Sequence, residues 1–189
     1  MSNVNANTMS AEPPAPDIGT PIVQALVLYS LAEFQCGHCT AIRVEAKNLA
    51  FSVSDDGRGH AIDRIVSELP YLPFIYTHFD YPFAPSAGAA PVQLQGIGIS
   101  LINRLCSELT VDVQKPDRTL RLLFENGALR DQLLREQSSG STGNTVSGVV
   151  SSQYSQGFDE LALHGWLHRV KLSAPALALH FNGQELYSS

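Results

Sequence analysis

Charge is scarce in this sequence, with 12 basic and 18 acidic side chains among 189 residues, a formal net charge of −6 and only 16% charged residues. The basic residues do not cluster, which excludes a protein whose main work is gripping phosphate backbones, so no direct nucleic-acid binding is expected. Long apolar runs are also missing. No stretch reaches the roughly 18 to 20 uncharged apolar residues of a membrane helix, and the first residues lack the basic-then-apolar layout of a secretory signal, so a soluble, cytoplasmic protein is expected. Cysteine is sparse and odd in number: Cys36, Cys39 and Cys106 cannot staple a small secreted fold and are read as reduced thiols.

What the chain does have is a 44% hydrophobic content and a length that buries roughly 70% of its unfolded surface, enough for one domain with a real core. Residues 1–20 carry prolines and no apolar periodicity and are expected to be a disordered tail, leaving 21–189 as the domain. From Pro21 to Gln35 a proline at a tolerated first-turn position precedes a run of helix formers that is apolar nearly all round, the pattern of a helix buried on more than one side. AIRVEA and LAFSVS alternate about Lys47-Asn48 as a hairpin. AIDRIVSEL (61–69) reads as a short helix. Residues 70–95 form a long loop dense in proline and aromatics, a length that suggests a lid. GIGIS opens a second helix, SLINRLCSEL, followed by the strand-like runs TVDVQ, LRLLFENG and TVSGVV, with a flexible Ser/Gly-rich loop at 137–144. FDELALHGWLHRVK is helix-compatible and ALALHFNG is a last strand. The order implies an α+β fold of two layers, helices on one face of a mixed, mostly antiparallel sheet.

Two segments carry chemistry. FSVSDDGRG (51–59) is a strand ending in a carboxylate followed by two glycines one residue apart, a fixed acceptor beside backbone that a flat ligand can approach; alone, it equally fits an ordinary Asp-Gly turn. QGIGISLINRLC places Gly96 and Gly98 at a helix start, where N–H groups favour an anion, without the Gly-Lys-Ser/Thr of a P-loop. The Cys36-x-x-Cys39 pair follows a helix and precedes a strand, so the dipole that activates a redox thiol is missing and a structural role is expected. His164 and His168, four apart on one helix, lack the partners of a zinc site, and no Ser-His-Asp arrangement is visible.

Taken together, EFQCGHCTAIRVEA, SVSDDGRG, LQGIGISLINRLCSEL, RLLFENG and STGNTV, in that order, resemble the ATPase domain of the GHKL superfamily (Bergerat fold), specifically the N-terminal domain of the DNA gyrase B protein and its topoisomerase IV relative. The resemblance implies ATP or ADP as ligand. Asp55 would accept from the adenine amino group, Gly57 and Gly59 would let the base lie against the backbone, and Arg58 would pair with Glu33 on the pocket wall. Gly96 and Gly98 would belong to the phosphate-facing lid and helix start, and Thr145, or Asn144 with a one-residue shift, would support the adenine-bound water. The same alignment puts Tyr29 where the family carries its magnesium-binding asparagine and Ala25 where it carries the water-activating glutamate. An alanine accepts no proton and a phenol is a poor ligand for a hard octahedral cation, so a catalytic group is missing and a magnesium site is in doubt. Val92-Gln93 replaces the family's glycine pair before the lid block. The implied reading is a degenerate domain that binds an adenine nucleotide without efficient hydrolysis, as a regulatory module. The alternatives are a nucleotide-free protein that pairs with a type II topoisomerase subunit, with itself or with another protein, and a working ATPase or kinase using Glu33 as a relocated base.

Overall fold

A computed structural model describes residues 17–66, 68–78, 98–136 and 140–188. Helix α1 (Gly19–Gln35) begins earlier than the proline signal suggested. Asp17 explains this, because its Oδ1 accepts from Thr20 N at 3.1 Å while its Oδ2 accepts from Asp159 N at 3.2 Å. Residues 17–20 therefore belong to the domain, and 1–16 lie outside the described residues. Ile22, Val23, Ala25, Leu26 and Val27 are all buried, as expected of a helix apolar nearly all round. β1 (Ala41–Lys47) and β2 (Ala50–Asp55) form the expected antiparallel hairpin, turned at Asn48 with φ 56°.

The next segment departs from expectation. Residues 61–69 make no helix; they form a small hairpin of β3 (Ile65–Val66) and β4 (Leu69–Pro70), with Glu68 at φ 65°. The helix comes one step later as α2 (Tyr71–Thr77), inside the stretch expected to be lid. Pro70 caps it and Pro73 sits in the first turn, where a missing N–H costs nothing. Tyr71, Leu72, Ile75 and Tyr76 are buried, so burial overrides the loop-like composition. The rest of the expected lid, 79–95, lies outside the described residues. α3 (Ile99–Leu105) is also shorter than expected, because Cys106 already starts β5 (Cys106–Gln114).

β6 (Arg118–Glu125), β7 (Ala128–Glu136), β8 (Gly143–Val150), α4 (Glu160–Ser173), β9 (Ala178–Phe181) and β10 (Gln184–Glu185) complete the chain. β7 was not among the expected strands, and Gly143 and Asn144 belong to β8 and not to the flexible loop. Among the described residues the main sheet has eight strands in the order β10-β9-β1-β2-β8-β5-β6-β7, antiparallel throughout except for the β1/β9 pair. Alternation is clean: Val44, Phe51, Val53, Leu109, Val111, Leu120 and Leu122 are buried on one face, whereas Arg43, Glu45, Glu108 and Arg121 are exposed on the other. The helices cover the apolar face, which gives the expected two-layer α+β architecture.

Candidate functional site

The site is built where β2 runs out beneath α1. Period-two alternation puts Asp55 on the covered face, in line with the buried Phe51 and Val53. Its Oδ2 accepts from Ser30 Oγ of α1 at 2.8 Å, and its Oδ1 accepts from Gly57 N at 2.9 Å. Both oxygens are thereby oriented, and each retains a lone pair for a further donor. Gly57 is required sterically: a Cβ there would lie 2.9 Å from Asp55 Oδ1 and 3.4 Å from the Glu33 side chain. Ser30, buried on α1, is a site residue that the sequence reading missed. Its only signal was position, one residue after Tyr29 on a helix known to face the sheet.

Asp56 does different work. It accepts from Ala41 N at 2.9 Å, from Thr40 N at 2.7 Å and from the Thr40 hydroxyl, so it locks the start of β1 to the turn. Burial alone would raise its pKa, but these bonds outweigh it and hold the carboxyl at about 2. Glu33 and Arg58 pair as expected, Nη2 to Oε1 at 2.8 Å and Nε to Oε2 at 3.0 Å. Those bonds lower the Glu33 pKa against the opposing effect of its partial burial, and they raise that of Arg58.

Gly59 adopts φ 68°, and a Cβ there would strike Gln114 O at 2.6 Å and Gly143 O at 3.1 Å. Its missing side chain is thus taken up by packing of the turn onto β5 and β8. Lys115 Nζ fastens the same turn by donating to Arg58 O at 2.8 Å and Gly59 O at 2.7 Å. The β2/β8 register puts Asn144 and Thr145 on opposite faces of the sheet. Asn144 lies opposite Asp55 and shares its face, whereas Thr145 lies opposite Ser54 and Asp112 on the open face. Asn144 Oδ1 also accepts from His60 N at 2.8 Å, and burial lowers the pKa of the His60 imidazole. Gly98 is the N-cap of α3, and a Cβ there would meet nothing within 4 Å; Gly96, Val92 and Gln93 lie outside the described residues.

Ala25, Tyr29 and Glu33 follow one face of α1 at four-residue spacing. Ala25 is buried and Tyr29 half-buried. Burial, with Tyr71 beside it, raises the Tyr29 pKa. Tyr76 is buried as well and stacks on Phe124 with centroids 5.4 Å apart. Burial raises its pKa, with smaller contributions from Tyr29, Tyr71 and Asp55, and its hydroxyl meets no partner among the described residues. Tyr71 and Tyr76 thus serve the core; Phe79, Tyr81 and Phe83 of the aromatic run lie outside the described residues. Burial drives the Cys39 thiol to about 12, and among the described residues no three His, Cys, Asp or Glu side chains converge as a metal site would require.

No family model matches the chain. Curated relatives do. The DNA gyrase B protein of Haloferax volcanii is 34% identical over 110 residues, covering 56% of this chain and 17% of that protein. Its counterpart in Campylobacter jejuni is 29% identical over 129 residues, 66% of this chain and 17% of that protein. The DNA topoisomerase 4 B protein of Borreliella burgdorferi is 25% identical over 133 residues, 70% of this chain and 21% of that protein. The chain thus matches only about a fifth of the length of these relatives. Among solved structures, the topoisomerase IV ATP-binding domain of Francisella tularensis, in complex with a small-molecule inhibitor, superposes with a TM-score of 0.72 at 18% identity, covering 87% of this chain and 83% of that one. The chain thus has the two-layer fold of that ATP-binding domain, and over 56–70% of its length it is similar in sequence to gyrase B and topoisomerase 4 B proteins. Among the described residues no helix is long and apolar enough to cross a membrane.

Proposed function

We propose that this domain binds an adenine nucleotide, ATP or ADP, without turning it over efficiently, and acts as a binding or regulatory module. The observation that carries the reading is Asp55, whose two carboxylate oxygens are oriented by Ser30 Oγ and Gly57 N while α1 presents a methyl at Ala25 and a phenol at Tyr29. A preset acceptor suits the amino edge of a purine, and Asn144 on the same face adds a second polar group. Glu33, Arg58, Gly57 and Gly59 frame that acceptor; Gly98 and Gly96 are assigned to the phosphate side. Hydrolysis would need a base beside the attacking water and hard oxygen ligands for magnesium. Neither Ala25 nor Tyr29 supplies one, and Glu33 is committed to Arg58.

The test is calorimetric titration of the full chain with ATP and ADP, with and without magnesium, alongside a phosphate-release assay. Expected are binding that Asp55→Asn weakens about tenfold or more, the loss of one charge-assisted contact, little dependence on magnesium, and no turnover above background. Steady turnover abolished by Glu33→Gln would replace this reading with that of an enzyme using a relocated base. Absence of binding by any adenine nucleotide would leave a protein-interaction role, with a type II topoisomerase as the first partner to try.

A further inference from the structure

The eight-stranded sheet ends at β7, and among the described residues no strand covers its outer edge. All nine residues, ALRDQLLRE, are exposed, and Leu133 and Leu134 reach 41% and 51% exposure. A long bare edge is a template for another strand, and proteins ordinarily blunt one with charge. Here the charges are arranged to attract a second copy. After the irregularity at Arg130, residues 131–136 pair with β6 in unbroken register, so this stretch is regular strand. Residues 131, 133 and 135 lie opposite Leu123, Arg121 and Thr119, on the open face of the sheet. Asp131 and Arg135 have no ion-pair partner among the described residues.

We infer that β7 pairs antiparallel with β7 of a second copy of this chain about a two-fold axis through Leu133, joining two sheets edge to edge. Directly opposed residues in such a pair must share a face, so the axis passes through a residue and not between two. With the axis at 133, Asp131 faces Arg135 of the other copy, Arg135 faces Asp131, and the two Leu133 side chains meet between these ion pairs. Shifting the axis to 131, 132, 134 or 135 joins no opposite charges within the strand. Cross-strand pairs of this kind stabilise a ladder and their reversal opposes it. An edge of this length is small beside a standard protein interface, so the dimer is concentration-dependent.

Sedimentation equilibrium of the full chain from low micromolar to near-millimolar concentration tests this. The mass is expected to rise toward twice that of the chain. Asp131→Arg and Arg135→Asp, each placing like charges opposite one another, are expected to weaken self-association about tenfold or more, with circular dichroism unchanged because both side chains are exposed. Mixing the two single variants, or combining both changes in one chain, restores association. A wild-type chain that stays monomeric throughout overturns the inference, as does a dimer indifferent to the single reversals or one that the charge swap fails to restore.

Discussion

Ser30 Oγ of α1 donates to Asp55 Oδ2 at the end of β2 across 2.8 Å, joining the helical layer to the sheet at the proposed ligand acceptor. Ser30 is buried, so removing its hydroxyl leaves a carboxylate oxygen short of a donor that water replaces poorly. Ser30→Ala is expected to cost about 1.5–3 kcal/mol, the range for hydrogen bonds to charged groups, read as a lower denaturant midpoint with the slope unchanged. The same variant should weaken adenine-nucleotide binding, because Asp55 is no longer fixed before the ligand arrives.

Gly143 is a second point of dependence. It sits at φ 142°, and a Cβ would lie 2.0 Å from Asp55 O and 3.2 Å from Asp56 Cα. Both contacts are backbone, so no side-chain rotation relieves them. Gly143→Ala is expected to destabilise by about 2 kcal/mol or more, from backbone strain and the forced separation of β8 from β2. Gly140→Ala provides the control: it shares a positive φ, 69°, but meets nothing within 4 Å, so thermal unfolding should show a much smaller loss.

Asp56 sets an acid limb. Its pKa in the folded chain, about 2, lies below its ordinary value of 3.8. The stabilisation is therefore complete above pH 4 and is lost as pH falls from there through 2. The group is partly solvated, so screening trims the effect to roughly 1 kcal/mol. Urea unfolding at pH 6 and at pH 2.5 measures it: Asp56→Asn should be less stable than wild type at the higher pH, and the gap should narrow at the lower.

The thiols should sort by exposure. Cys36 is exposed, whereas Cys39 and Cys106 are buried, and burial holds both buried thiols at about 12. Thiolate is the reacting form. Native protein at pH 8 is expected to give one fast equivalent with a disulfide reagent and three in denaturant. Rapid formation of a Cys36–Cys39 disulfide instead would restore a redox role to the pair.

Several elements are legible in the sequence because local pattern and tertiary demand agree. The all-round apolar run of α1, the alternation of β1 and β2, and the carboxylate-glycine turn after them need no information from elsewhere in the chain. The two-layer fold follows from their order. Residues 71–77 were illegible because Pro73 and the aromatics look like loop; the helix exists because Leu72, Ile75 and Tyr76 have a core to enter. β7 failed for the opposite reason. ALRDQLLRE is built from good helix formers and buries neither face, so no period-two signal arises, and only the Asn126-Gly127 turn, with φ 51° and 83°, marks it in the sequence as the return strand of a hairpin.

The site divides in the same way. The sequence by itself determined which groups are available: the carboxylate at Asp55, the glycines beside it, the Glu33–Arg58 pair, and the absence of acid or amide at Ala25 and Tyr29. Only the tertiary structure decided which of them meet. Strand register put Asn144 and not Thr145 beside Asp55, and helix-on-sheet packing brought Ser30 across 25 residues of sequence. A one-residue slip in register reverses which face a side chain occupies, and nothing local to STGNTV encodes that choice; it is fixed by the neighbouring strands on either side.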